Sequence, residues 1–261
     1  YDVIVVGAGL AGLAAAHQLV MAGKDVLLLE GTERAGGRIM SPVIEDISFN
    51  LGAQWISPSY INLIELTTLF GLKITKQPSS GQDFYADNGQ KKYFDGLYPN
   101  RKLNDRINTS RLLSSLKKNK ITDPNKPWLT KEADKLDQER FGHFLKRRSL
   151  NNRYYEMIRN IFDSRFLNGI GQVSALQALN NLQGLSPEKW YINGGTELIV
   201  KKLAQELDIS YHRPVSKIKR EGGILYISTK HQTFRARKVI VAIPPHQAGQ
   251  IRYDPHPGIT K

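Results

Sequence analysis

The sequence predicts an α/β fold: a parallel sheet flanked by helices, interrupted partway by a mainly helical insertion. Three observations predict it. An apolar run, Val3 to Val6, opens the chain and leads directly into three spaced glycines. A second run, Val26 to Leu29, ends on the carboxylate Glu30, and a third strand-like stretch, Lys238 to Ala242, comes back far downstream. Between them, over about 78–189, the pattern changes to polar helical stretches with loops rich in Asn, Pro and Lys.

Val3 to Val6 is too short and too β-branched for a helix of its own and reads as a buried strand. Gly7, Gly9 and Gly12 follow at the G-x-G-x-x-G spacing. The first allows a tight turn, the second lets backbone approach a pyrophosphate, and the third lets helix and strand pack closely. Leu10 to Ala22 predicts an alanine-rich helix. Leu10 and Ala11 then stand at an N-terminus whose unpaired N–H groups and positive dipole end suit a phosphate. Gly23 ends the helix, Val26 to Leu29 is the next strand, and Glu30 at its tip can accept hydrogen bonds from a ribose diol. The glycine spacing alone is a weak signal. Strand, helix, strand and acid in that order make it specific, and together they predict a Rossmann-like, dinucleotide-binding domain.

Residues Glu30 to Arg38 read E-G-T-E-R-A-G-G-R, and Leu51 to Ile56 read L-G-A-Q-W-I. Gly36 and Gly37 give backbone access beside a phosphate, and Arg34 and Arg38 can supply charge-assisted contacts to it. A solvated turn is the bland alternative for the two arginines. A nicotinamide enzyme is the functional alternative, but it has no need of a second phosphate-gripping segment so soon after the acid.

With these segments the chain resembles the flavin-containing amine oxidases, the family of monoamine, polyamine and putrescine oxidases. The likeness continues through Tyr191 to Leu207, Pro214-Val215 and the A-I-P-P stretch within Ala236 to Pro255, so it covers nearly the whole chain. The resemblance implies an FAD cofactor, with Gly52, Ala53, Gln54 and Trp55 alongside the isoalloxazine and Val215 meeting the adenine through its backbone. A buried core tryptophan is a competing reading of Trp55. The resemblance also implies oxidation of the C–N bond of a small-molecule amine to an imine, with oxygen reduced to hydrogen peroxide. No residue in this portion stands out as a general base, and the catalytic residues are unknown. Family members continue far beyond the region of Asp254-Pro255. The expectation is therefore an incomplete enzyme, whose remaining flavin and substrate segments come from a missing C-terminal half or a partner chain. The G-A-Q-W-I and A-I-P-P stretches favour this family over carotenoid desaturases and protoporphyrinogen oxidases, which share the first nucleotide motif and the glycine pair. A non-catalytic fragment and an interaction protein using a basic face remain the alternatives.

On this reading residues 1–77 form the first segment of an FAD-binding domain, 78–189 a helical insertion belonging to a substrate domain, and 190–261 the second FAD-domain segment. Phe84 to Phe94 predicts a hairpin around Asn88-Gly89. Asn108 to Lys120, Lys131 to Leu145, Tyr154 to Phe162 and Ser174 to Asn181 predict helices. A second hairpin is expected at Gly222-Gly223, and Pro244-Pro245 closes the strand before it, since proline cannot donate to a ladder.

A chain of 261 residues, 40% hydrophobic, can bury a substantial core. No apolar run approaches the roughly eighteen residues of a membrane span. With no cysteine, and six histidines without a ligand-like spacing, no metal is expected. Much of the net charge of +13 is concentrated between Arg101 and Arg165, including Lys117-Lys118-Asn119-Lys120 and Lys146-Arg147-Arg148. Nucleic-acid or anionic-membrane binding is the sharp reading of such clusters. They lack the interleaved aromatics of a single-strand binder, so a solvated helical surface is preferred and no nucleic-acid partner is expected. By the resemblance, Arg165 falls at a substrate-facing position. It is a candidate for holding a substrate carboxylate, against an ordinary surface arginine.

Overall fold

The computed structural model describes residues 1–78, 80–87, 89–94, 103–149, 151–163, 166, 169–183 and 189–256. The chain divides into two compact units, Tyr1–Gln77 with Glu188–Lys261, and Pro78–Pro187.

The first unit opens with strand β1 (Val3–Val6), helix α1 (Leu10–Met21) and strand β2 (Val26–Leu29). Gly23, at φ +72°, reverses the chain between helix and strand. The short strands β3 (Val43–Ile44) and β4 (Ile47–Ser48) form a hairpin whose two turn residues, Glu45 and Asp46, are both left-handed. Helix α2 (Ile61–Leu69) ends at Gly71, and β5 (Ile74–Lys76) leads out of this segment.

The second unit begins with the hairpin of β6 (Asp83–Asp87) and β7 (Gln90–Phe94), paired from Asp83↔Phe94 to Asp87↔Gln90. Asn88, the first residue expected in its turn, lies outside the described residues. Helices α3 (Leu103–Lys118), α4 (Ala133–Gln138), α5 (Phe141–Lys146), α6 (Asn152–Asp163) and α7 (Ala175–Gln183) complete it. Tyr154, Ile158 and Phe162 recur every fourth residue along α6 and are buried, as an amphipathic helix requires. They meet Phe141, Phe144 and Leu145 of α5 and Ala175, Leu176, Ala178 and Leu179 of α7 in one core. Phe141 stacks on Phe144 and takes Phe162 edge-on.

The single helix expected over Lys131 to Leu145 is in fact two. Arg140 is extended (φ −69°, ψ 137°), and the backbone around it pairs with a distant segment. Phe141 N–H donates to Val173 O at 2.9 Å, and Ala175 N–H donates to Glu139 O at 2.8 Å. These long-range bonds replace helical ones, and helical periodicity carries no trace of them.

The chain returns to the first unit through β8 (Trp190–Ile192), which pairs antiparallel with β5. The insertion thus leaves and re-enters through neighbouring strands, so the first unit accommodates it without breaking its sheet. Helix α8 (Glu197–Gln205), β9 (Ile209–Ser210), β10 (Val215–Glu221), β11 (Ile224–Thr229), β12 (Thr233–Ala236), β13 (Lys238–Val241), the short helix α9 (Pro245–Ala248) and β14 (Arg252–Asp254) follow.

Strands β13, β1, β2 and β9 form a wholly parallel sheet in that order. Successive side chains of a strand point to opposite faces, so β1 and β2 must be apolar at every position to be covered on both sides. Val3, Val5, Val26 and Leu28 face Leu13 and Ala16 of α1 and Ile199, Val200 and Leu203 of α8. Ile4, Val6, Leu27 and Leu29 face Ile218, Ile227 and Ala236 of a second sheet, ordered β12-β11-β10-β14. Each such side chain contributes about 1.5–3 kcal/mol when fully buried. His17 of α1 is buried as well, with Nε2 3.1 Å from the Glu206 carboxylate and its ring edge-on to Phe70. No helix among the described residues is long and apolar enough to cross a membrane, and no cluster of three potential metal ligands occurs among them.

Candidate nucleotide-binding site

The parallel sheet sets the site by bringing the ends of β1 and β2 level. Gly7 takes φ +102°, a conformation that strains any side chain, and its N–H donates to Leu29 O at 2.9 Å. The turn it makes is closed from the inside. A Cβ on Gly12 would lie 1.9 Å from the Gly7 carbonyl oxygen, so α1 can sit this close only with glycine there. Gly9 is the opposite case: nothing stands within 4 Å of where its Cβ would be. Gly9 is also the N-cap of α1 and makes no side-chain cap, so the first-turn amides, Ala11 and Gly12 among them, have no intrahelical acceptor. Leu10 is the first residue of that helix.

Glu30 points at this turn. Its Oε2 accepts from the Ala8 N–H at 2.8 Å, and its Oε1 accepts from the N–H and hydroxyl of Thr32, both at 2.9 Å. Each oxygen keeps acceptor capacity for a further donor. Tyr211 lies beside it, and burial first, then the negative charge of Glu30, pushes the Tyr211 phenol above its usual range.

The 34–39 loop folds against the same turn. The Gly36 N–H donates to Ala8 O at 2.8 Å, Gly36 bridges to Gly9, and a Cβ on Gly37 would sit 3.4 Å from the Gly9 Cα. Gly36 and Gly37 both take positive φ, +108° and +54°. The two arginines of the loop part company. Arg34 turns inward, donating to the carbonyls of Ala35 (3.2 Å), Ile39 (3.0 Å) and Gly37 (2.8 Å). Its guanidinium fastens the loop instead of standing open to a phosphate, because three carbonyls left unpaired by the glycine turn lie within its reach. Arg38 is exposed and has no side-chain partner among the described residues.

Gly52 and Ala53 back this loop. The Ala53 N–H donates to Arg38 O at 3.0 Å, and a Cβ on Gly52 would come within 2.1 Å of the same oxygen. Gln54 is half-buried. Trp55 is not a core residue: it is 41% exposed, with Lys189 Nζ 5.4 Å from its ring centroid. Ile56 just beyond is anchored by reciprocal backbone bonds with Trp190 at 2.7 and 2.8 Å. Val215 opens β10, two residues past Arg213, whose N–H donates to Glu30 O at 2.7 Å. The structure therefore gathers Gly7 to Gly12, Glu30 and Gly36 to Arg38 around one turn, with Gly52-Ala53 behind the loop and Val215 close along the chain. Arg165 lies outside the described residues.

Several supporting residues escape a reading of motifs. Thr32 holds Glu30 in place; a hydroxyl two residues after the acid was the available signal. Ser41, Asn50 and Glu197 form a second brace. Ser41 N–H donates to Glu197 Oε2 at 2.7 Å, Ser41 Oγ donates to Asn50 Oδ1 at 2.7 Å, and that oxygen also accepts from Thr196 N–H at 3.0 Å. Their separation in sequence hides them.

Fold and loop together define a Rossmann-like protein of the α/β class with a candidate nucleotide site. The sequence profile of the family described as flavin containing amine oxidoreductase matches residues 10–261, and the chain belongs to that family. It is 30% identical to the probable flavin-containing monoamine oxidase A of Dictyostelium discoideum, over 98% of this chain and 60% of the relative. A solved structure of a putrescine oxidase double mutant superposes with a TM-score of 0.85 at 26% identity, covering 99% of this chain and 61% of that one. The cyclohexylamine oxidase of Brevibacterium oxydans IH-35A gives 0.85 at 25% identity, covering 98% and 61%. The chain thus spans about 60% of the length of the relatives it matches.

Proposed function

We propose that this chain is the nucleotide-gripping part of an FAD-dependent amine oxidase, which converts the C–N bond of a small-molecule amine to an imine while oxygen is reduced to hydrogen peroxide. The observation that carries the reading is the convergence of Glu30 and the Gly36 loop on the Gly7 turn, with open space left above Gly9. The residues fit the group. An uncapped helix N-terminus and a glycine without neighbours leave room and donors for a pyrophosphate, and a fixed carboxylate suits a ribose diol.

Bound there, the flavin supplies the two-electron acceptor that side chains lack. The protein's part is to hold and orient. Glu30 would accept from the ribose hydroxyls. The amides of Gly9, Leu10, Ala11 and Gly12 would donate to the pyrophosphate, and Arg38 would bring the positive charge that Arg34 does not. Gly52 to Trp55 would border the ring system, and Val215 would border the adenine. An amine fits the names of the relatives, a putrescine oxidase and a cyclohexylamine oxidase among them. Oxygen is the second substrate.

The test is spectroscopic. Purified chain mixed with FAD and freed of excess should retain flavin absorbance, and Glu30→Gln should weaken retention about tenfold or more, as expected for losing a charge-assisted hydrogen bond. A colourless wild-type chain would sink the cofactor reading. Anaerobic bleaching by an amine, in this chain joined to the rest of a family member's length, tests the reaction itself.

A further inference from the structure

In the helical unit, an open cleft of about 330 Å³ is lined by Ser110, Arg111, Ser114 and Ser115 of α3 and by Arg147 and Arg148 just past α5. No carboxylate among the described residues lines it. Its three arginines are held differently. Arg147 forks onto Glu139, with three N–H···O contacts of 2.6 to 2.9 Å. Arg148 is half-buried. Its Nε donates to Ser115 Oγ, its Nη1 donates to Phe144 O at 2.9 Å, and its guanidinium carbon lies 3.5 Å from the centre of the Phe144 ring. It forms no ion pair with a carboxylate among the described residues. Burial first, and then the charge of Arg147, push its pKa below the usual arginine value, with Glu139 opposing them. Arg111 is exposed and unpaired among the described residues, as are the hydroxyls of Ser110 and Ser114.

Among the described residues, three guanidinium groups against one glutamate leave two positive charges at the cleft uncompensated. One of them sits on a group already stripped of part of its water, and such a group gains most from a fixed anion. The partners differ in kind as well as in charge. Planar guanidinium donors and rotating hydroxyls approach from two elements, and a tetrahedral group with several acceptor oxygens can use both. A carboxylate would be satisfied by one guanidinium fork alone. The volume suits a small ligand head.

We propose that this cleft binds a phosphoryl group, on a soluble phosphate or on a lipid headgroup, at a place separate from the glycine turn. The site gives Arg147 and Arg148 of the basic cluster a specific task in place of mere solvation.

The test uses the full chain with isotope-labelled arginine, titrated with inorganic phosphate while the arginine Nε–H signals are followed by NMR. This readout is residue-specific, so binding at the glycine turn does not mimic it. A second arm sediments the protein with phosphatidylcholine vesicles, with and without phosphatidic acid. Saturable shifts of the Arg111 and Arg148 signals, weakened about tenfold by Arg111→Gln and several-fold by Ser114→Ala, are expected for a soluble phosphate. Arg111-dependent co-sedimentation only with phosphatidic acid assigns the headgroup. Arg111 and Ser114 are exposed, so these variants keep the fold, whereas Arg148→Gln would remove packing contacts as well. Neither arm responding, or both responding equally in wild type and Arg111→Gln, overturns the proposal.

Discussion

The 34–38 loop and the 147–148 corner each place two arginines close together, and each divides the work in the same way. One member is committed to the protein: Arg34 to three carbonyls, Arg147 to Glu139. The other is left with charge to offer: Arg38 at the glycine turn, Arg148 in the helical unit. The difference lies in what fixes the geometry. At the loop, backbone fixes it, through glycines at positive φ and amide bonds to Ala8. At the corner, side-chain packing on Phe144 and Ser115 fixes it. Backbone-determined sites announce themselves in sequence, because only glycine satisfies them. Packing-determined sites do not.

The largest effect expected from breaking the backbone-determined site is that of Gly12→Ala. Its new methyl would stand 1.9 Å from the Gly7 carbonyl, so strand and helix must part. Urea denaturation should show a loss of about 3 kcal/mol or more, the upper end of overpacking costs. Gly9→Ala separates fold from function. Gly9 has φ −71° and ψ 172°, which alanine adopts freely, and no neighbour within 4 Å. Stability should stay within about 1 kcal/mol, the unfolded-state gain of about 0.4–1 kcal/mol being offset by alanine's poorer N-capping. FAD affinity should nonetheless fall by about ten- to a hundredfold, because the methyl occupies the approach to the first-turn amides. Equal loss of stability in both variants would erase the distinction between a closed and an open glycine.

This contrast also explains how much could be read in advance. The parallel strands, α1, the glycine turn and Glu30 were legible because each imposes a residue type at a fixed place: β-branched runs buried on both faces, glycines where a Cβ collides, an acid at a strand tip. The hairpin at Gly222-Gly223 was legible for the same reason, both residues taking positive φ. The break at Arg140 was not, since it arises from pairing with Val173 and Ala175, more than thirty positions away. Arg34's inward turn was equally hidden, because nothing in E-x-x-x-R-x-G-G-R says which arginine faces the loop's own carbonyls. The brace of Ser41, Asn50 and Glu197 joins residues more than 140 apart.

The two loop arginines provide the next test, with smaller effects. Arg34→Gln removes three carbonyl contacts and should cost about 1–3 kcal/mol of stability, with flavin affinity falling as the loop loosens. Arg38→Gln should leave stability within about 0.5 kcal/mol, as exposed substitutions usually do. Its flavin affinity should drop about tenfold and lose part of its salt dependence. Thermal melts and fluorescence titration of FAD measure both. A stability loss at Arg38 matching that at Arg34 would mean the two are not divided as the geometry indicates.

The smallest effect probes Glu30 through its neighbour. Tyr211 is raised above the ordinary tyrosine value of about 10 by burial first and by the Glu30 charge second. Its ring signal, followed by NMR in tyrosine-labelled chain, should titrate late in wild type. Glu30→Gln should bring it down part of the way, since burial remains. A raised folded-state pKa means the folded chain holds this proton where the unfolded chain has released it. The contribution to stability is therefore complete below the unfolded value and is lost as pH rises through the folded one. Tyr211→Phe removes that loss, so its alkaline denaturation should begin at slightly higher pH than that of wild type. If Glu30→Gln leaves the Tyr211 titration where it was, the carboxylate does not face the turn's edge as its bond to Ala8 indicates, and the ribose role assigned to it fails with that result.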